Sequence, residues 1–252
     1  MLEELMTQAF WIGLLKIIGV NIILSGDNAV VIALAARSLP AKQQKQAIFW
    51  GAGAAIVLRI GLTLFAVALL ALPWLKLVGS LLLFWIGVKL MIPEDDDPNI
   101  KASEHLISAI KTILVADLVM SLDNVIAVAA AAGGSVVLLI LGLAISIPLV
   151  IFGATLLVKL MDRFPVIVTI GAGLIGWVAG EMLMADLALK TWLSSLGAEY
   201  RGDHPYVGGY SLQIIGGIVG VVIVVALGKW FAKKNPPDSD AAATAKTDGS
   251  RS

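Results

Sequence analysis

The chain has 252 residues, 59% of them hydrophobic and 14% charged, with a formal net charge of zero. A soluble domain carries about 25% charged and about 45–50% apolar residues, so a water-soluble globular fold is excluded. Zero net charge gives no general attraction for nucleic acid, and the lack of cysteine removes disulfides and thiolate metal sites.

The apolar residues fall in runs of about 20, the length at which a helix matches the ~30 Å hydrocarbon layer of a bilayer. The predicted fold is an all-α polytopic membrane protein with seven transmembrane helices, at roughly 9–36, 46–70, 74–92, 108–132, 136–158, 164–188 and 211–231. The opening "MLEELMTQAF" lacks the basic n-region of a cleavable signal peptide, so the first helix is expected to be retained. Its run is longer than one straight crossing needs, which predicts a break or a steep tilt.

Residues 1–92 form a first three-helix unit, followed by an acidic cytoplasmic loop at 93–107 that contains "PEDDDPN". A second three-helix unit covers 108–190, an extracytoplasmic loop 191–210 and the seventh helix 211–232. The tail over 233–252 has a disordered composition. Lys and Arg concentrate on one side, at Arg37, Lys42, Lys45, Lys101, Lys111, Lys159, Arg163, Lys229, Lys233 and Lys234, against Lys76, Lys190 and Arg201 on the other. This places the N-terminus outside and the C-terminus in the cytoplasm of a plasma (inner) membrane.

The chain repeats itself. Asn21, Ser25, Asp27 and Asn28 align with Asp117, Ser121, Asp123 and Asn124 at an offset of 96. Weaker matches of the same order join spans two and five (Gly61 with Gly153) and spans three and six ("GVKLM" with "GEMLM"). A unit of three helices must insert its copy upside down, which predicts inverted repeats with a shared site near the midplane.

Asp27 and Asp123 lie about nine residues inside their spans, roughly 14 Å deep at 1.5 Å per residue. A charge there costs at least about 2.5–3.5 kcal/mol, so it faces protein or a water-filled cavity. On a helix, Asn21, Ser25 and Asn28 share one face, as do Asp117, Ser121 and Asn124. The two aspartates of the Asp-Asn pairs sit off that stripe. Local unwinding would let them join it and would free backbone carbonyls as ligands, and Gly26 favours a break in the first copy more than Leu122 does in the second. Ser25, Ser121 and Gly26 are equally suited to plain helix contact, whereas paired intramembrane carboxylates point to function. Glu181 in span six is a further candidate ligand or proton carrier, or else the partner of a nearby cation. Arg59, deep in span two, either balances a carboxylate of the empty site or forms a structural ion pair. Asp186 is read as interfacial and His105 and His204 as loop residues.

Carboxylate, amide and hydroxyl oxygens suit Mg²⁺, Ca²⁺ or Mn²⁺, and no imidazole-rich zinc site is expected. The absence of a G-x-x-x-x-G-K-[ST] pattern removes a P-loop as the energy source.

"SGDNAVVIA" and "DLVMSLDNVIAVAA" resemble the paired signatures of the TerC family of integral membrane proteins. The Ser-Gly-Asp-Asn start is similar to its YjbE-type branch, and the family is grouped with the lysine-exporter superfamily of inverted repeats. The resemblance implies export of a divalent metal, Mn²⁺ as transported substrate, without an organic cofactor. It makes Asp27, Asn28, Asp117, Asp123 and Asn124 metal positions, with Ser25 and Ser121 in the same motifs. Asn21 stands where the second copy has Asp117, so the half-sites carry unequal charge. The expected partners are the metal ion and the lipid bilayer, with no nucleic acid; a homo-oligomer is left open. The rival readings are an amino-acid exporter using Arg59 for the substrate carboxylate, and a non-transporting scaffold for metal-loading enzymes. An enzyme is not expected.

Overall fold

The computed structural model describes residues 8–65, 72–92, 102–132, 135–202 and 204–234. The first run folds as two helices, α1 (Gln8–Leu24) and α2 (Gly26–Ala36), bent by 50° at Ser25. The expected break is therefore present. α3 (Ala41–Leu64) starts directly after Pro40, whose fixed φ suits a helix start. α4 (Leu75–Lys89) follows, then α5 (Ala102–Ala132) and α6 (Val136–Arg163). The Ser135 hydroxyl opens α6 by accepting from the Leu138 N–H at 3.3 Å. α7 (Val166–Met184), the short α8 (Leu187–Ser195) and α9 (Leu212–Lys234) complete the helices described.

Five of these helices are long and apolar enough to cross a membrane, or six when α1 and α2 count as one bent span. The predicted third span is the shortfall. Its helix α4 has 15 residues, about 22 Å at 1.5 Å per residue, less than the ~30 Å hydrocarbon layer. α5 runs unbroken through Leu122, so the second cluster has no counterpart of the Ser25 bend.

Two loop assignments are corrected. Residues 102–107, placed in the acidic loop, form the first turns of α5, where Glu104 suits the positive end of the helix dipole. His105 is thus helical; residues 93–101 lie outside the described residues. The stretch 191–210 contains the end of α8 and most of a three-stranded antiparallel sheet, β1 (Glu199–Arg201), β2 (His204–Val207) and β3 (Tyr210–Ser211). His204 is a strand residue. The tail from residue 235 lies outside the described residues.

Small residues set the helix contacts. With no hydrophobic drive between helices in lipid, close approach and dispersion do the holding. A Cβ on Gly51 of α3 would stand 2.8 Å from Ile113 of α5, and one on Gly142 of α6 would collide with Ile17 of α1. Between α7 and α9, Gly176 and Gly180 face Gly216 and Gly220, a G-x-x-x-G stretch on each side. The buried interior includes Val31, Leu34, Ile48, Leu83, Ile113 and Ile175. Large apolar side chains such as Leu15, Phe49, Trp85, Phe152 and Val222 point outward, as lipid-facing residues do.

Asp186, just past the end of α7, is buried. Its carboxylate accepts from the backbone N–H groups of Trp74 (3.1 Å), Leu77 (2.8 Å) and Ala188 (2.7 Å). It thereby opens both α4 and α8 and ties them together, while Trp74 takes the left-handed backbone region at φ 72°.

Candidate functional site

The bend after Leu24 is a hydrogen-bond exchange. In an unbroken helix the Leu24 carbonyl would accept the Asn28 backbone N–H. Here that N–H donates to Asp27 Oδ1 at 2.8 Å, and Leu24 O receives the side-chain amides of Asn28 (3.5 Å) and Asn124 (3.3 Å). Asp27 sits in the first turn of α2, where a carboxylate meets the positive helix end. The two predicted asparagines, one from each repeat, thus meet on one freed carbonyl.

One turn away the remaining polar residues converge on Arg59 of α3. Its Nη2 donates to Asp117 Oδ1 at 2.6 Å, an ion pair between side chains only 4% and 5% exposed. Its Nη1 donates to Asn21 Oδ1 (2.8 Å) and Ser25 Oγ (3.2 Å), and its Nε to Ser121 Oγ (3.0 Å). Ser121 in turn donates to Asp117 Oδ2 at 3.1 Å, and Ser25 to Asn21 Oδ1 at 3.3 Å. Both predicted stripes therefore face the same guanidinium, with Asn21 and Ser25 on one side and Asp117 and Ser121 on the other. A guanidinium has five N–H donors, and four of the bonds they can make are already in place.

Beside this network is a cavity of about 10 Å³ lined by Asn21, Ser25, Asn28, Arg59 and Asp117, closed by Ile32 and other apolar side chains. That is room for about one water-sized particle. Asn28 Oδ1 and Asn21 Nδ2 are buried and make no hydrogen bond among the described residues. A larger cavity of about 290 Å³ opens at one end of the bundle, lined by Leu34, Ala35, Arg37, Lys89, Thr112 and Asp162 among others. Helix α2 links the two: Asn28 and Ile32 line the small cavity, and Ala35, on the same face, lines the large one.

Not every predicted residue joins this cluster. Asp27 is half-buried and bonds its own helix start, outside the lining of the small cavity. Glu181 lies on α7, which packs on α4 and α9, and is not part of that lining. The Asp123 side chain lies outside the described residues. Among the described residues no group of three or more His, Cys, Asp or Glu is poised to hold a metal. The Leu24 carbonyl is the one contributor with no mark in the sequence, beyond the Ser-Gly pair that follows it.

A bundle of apolar helices folded around a buried, hydrogen-bonded Arg-Asp pair defines an integral membrane protein with a polar centre. Its family follows from the whole chain. The model of the "Integral membrane protein TerC family" matches residues 6–236, and the chain belongs to that family. It is 44% identical over 192 residues to the "Uncharacterized membrane protein YjbE" of Bacillus subtilis (strain 168), covering 76% of this chain and 88% of the relative. It is 29% identical over 206 residues to the "Uncharacterized membrane protein YkoY" of the same organism, covering 73% of this chain and 63% of the relative. To the "UPF0053 inner membrane protein YoaE" of Escherichia coli (strain K12) it is 41% identical over 61 residues, 24% of this chain and 12% of that one. No solved structure matches the chain.

Proposed function

We propose that this protein is an inner-membrane transporter, not an enzyme, that exports a divalent cation, Mn²⁺ foremost, by alternating access between two inverted three-helix halves. The observation that carries this reading is that members of both clusters meet inside the apolar helices, Asn21 and Ser25 with Asp117 and Ser121 on Arg59, and Asn28 with Asn124 on the Leu24 carbonyl. Buried polar groups are expensive in lipid and are kept where a pathway needs them.

The packing supports the inverted repeat. Ile17 of the first unit lies against Gly142 of the second, and Ile113 of the second against Gly51 of the first. Ile17 and Ile113 are 96 positions apart, the offset of the two clusters. Such exchanged contacts are what a two-fold axis in the membrane plane produces. The ligand chemistry supports a hard cation, because the oxygens gathered here are carboxylate, amide and hydroxyl. The rival amino-acid substrate needs Arg59 to grip its carboxylate with a fork of donors, and three of its four bonds go to neutral oxygens of the chain's own side chains. A substrate carboxylate there would also sit beside that of Asp117, whose like charge repels it.

Uptake of Mn²⁺ into inverted vesicles, wild type against Asp117→Asn and Asp123→Asn at equal expression, tests the proposal. Wild-type uptake should exceed that of empty vesicles, and both variants should lose at least about nine-tenths of it, the size of effect expected when about 1.4 kcal/mol of binding is removed. Equal uptake in all three proteins and in empty vesicles would sink the transport reading in favour of a scaffold.

A further inference from the structure

Arg59 makes contacts that a cargo cation would need. Its guanidinium is held by Asn21 Oδ1, Ser25 Oγ, Ser121 Oγ and Asp117 Oδ1, four oxygens from α1, the bend at Ser25 and α5, within 2.6 to 3.2 Å. Remove the guanidinium and these oxygens form a hard-cation ligand set of one carboxylate, one amide and two hydroxyls. A fifth oxygen is at hand. Asn28 Oδ1 lines the adjoining cavity, is buried within a residue only 3% exposed, and accepts no hydrogen bond among the described residues. A buried acceptor with no partner is destabilising, so it is expected to be filled in another state of the molecule.

We propose that Arg59 is a tethered counter-cation: it occupies the ligand oxygens in the cargo-free state, and the divalent cargo binds by displacing it. The inference rests on the cation-transport reading and specifies how that site is filled and emptied. Cargo and guanidinium exclude one another because both need Asp117 and the same three neutral oxygens. The exchange lets the carrier return empty without leaving Asp117 as an uncompensated buried charge, which would cost several kcal/mol. It also lowers apparent cargo affinity by the fraction of time the guanidinium is in place. A site vacated about one-tenth of the time binds about tenfold more weakly than its ligands allow. Weak binding of this kind favours release on the far side.

The test is Mn²⁺ binding to full-length protein in detergent, by calorimetry and by the rise in melting temperature with added Mn²⁺, for wild type, Arg59→Gln and Arg59→Lys. Arg59→Gln should bind Mn²⁺ about tenfold more tightly or better, while its transport rate falls. Arg59→Lys keeps a cation but loses the fork that reaches four side chains at once, so its affinity should lie between the other two. This conservative variant keeps the test decisive where Arg59→Gln does not fold. Mn²⁺ binding by wild type that is unchanged or weaker in the folded Arg59 variants would overturn the tethered-cation role and leave the transporter reading standing. No Mn²⁺ bound by any of the three would overturn the Mn²⁺-transporter reading, and this inference with it.

Discussion

Arg59 and Asp117 form a buried ion pair, and its energetics are lopsided. An intact buried pair is roughly neutral for stability, because desolvation offsets attraction. Removing one partner is different, since it strands the other charge in a medium that cannot solvate it. Arg59→Met alone should therefore lower stability by about 3–5 kcal/mol, whereas Arg59→Met with Asp117→Leu should recover most of that loss. Thermal unfolding in detergent checks this, and a double variant no more stable than the single one would contradict it. The sequence supplied both residues but not their pairing. Arg59 faced four acidic candidates, and only the packing of α3 against α5 selects Asp117. The i, i+4, i+7 stripes of Asn21, Ser25, Asp117 and Ser121 were readable, because helix geometry fixes which residues share a face. Glu181 was not decidable in the same way: its depth was plain, but the neighbours of α7 were not.

Among the elements, the bend between α1 and α2 and the contact between α7 and α9 depend on particular small residues. The bend follows from Ser25-Gly26 and from Asp27 claiming the Asn28 N–H; Leu122 in the matching place leaves α5 straight. Helix α9 is fixed by backbone contact with α7. A Cβ on Gly176 would stand 2.5 Å from the Gly220 carbonyl oxygen. Gly176→Val should thus force α7 and α9 apart and destabilise the protein by about 1–3 kcal/mol, the usual range for overpacking. Gly53→Ala is the control, because a Cβ there meets nothing within 4 Å. It should be neutral or slightly stabilising, by up to about 1 kcal/mol from helix propensity. Equal melting temperatures for Gly176→Val and wild type would remove the glycine contact as the anchor of α9. Long apolar runs announced most of the helices. The small sheet over 199–211 escaped because its strands have two to four residues, too short for a period to show. Its signals were glycines alone: Gly202, Gly208 and Gly209 adopt positive φ at its turns.

For the molecule as a whole, the two ends of the bundle differ in charge and in shape, and the difference makes its orientation testable. The end reached by Arg37, Lys89 and Asp162 holds the cavity of about 290 Å³. The opposite end is closed by α8, the sheet and the Asp186 bonds to Trp74 and Leu77. Lys and Arg near membrane crossings favour the cytoplasm, so the open end is expected on that side and the closed end outside. The cytoplasmic face would then offer a vestibule that ends, along α2, at the fully packed Ile32 and the Arg59 network beyond it. Because the chain has no cysteine, Ser38→Cys and Ser194→Cys each give a single thiol, one at each end and both exposed. A membrane-impermeant maleimide applied to intact spheroplasts should label Ser194→Cys fully, and Ser38→Cys only after the membrane is opened. The reverse pattern would turn the vestibule outward, and with it the direction in which a cation could enter the carrier from this conformation.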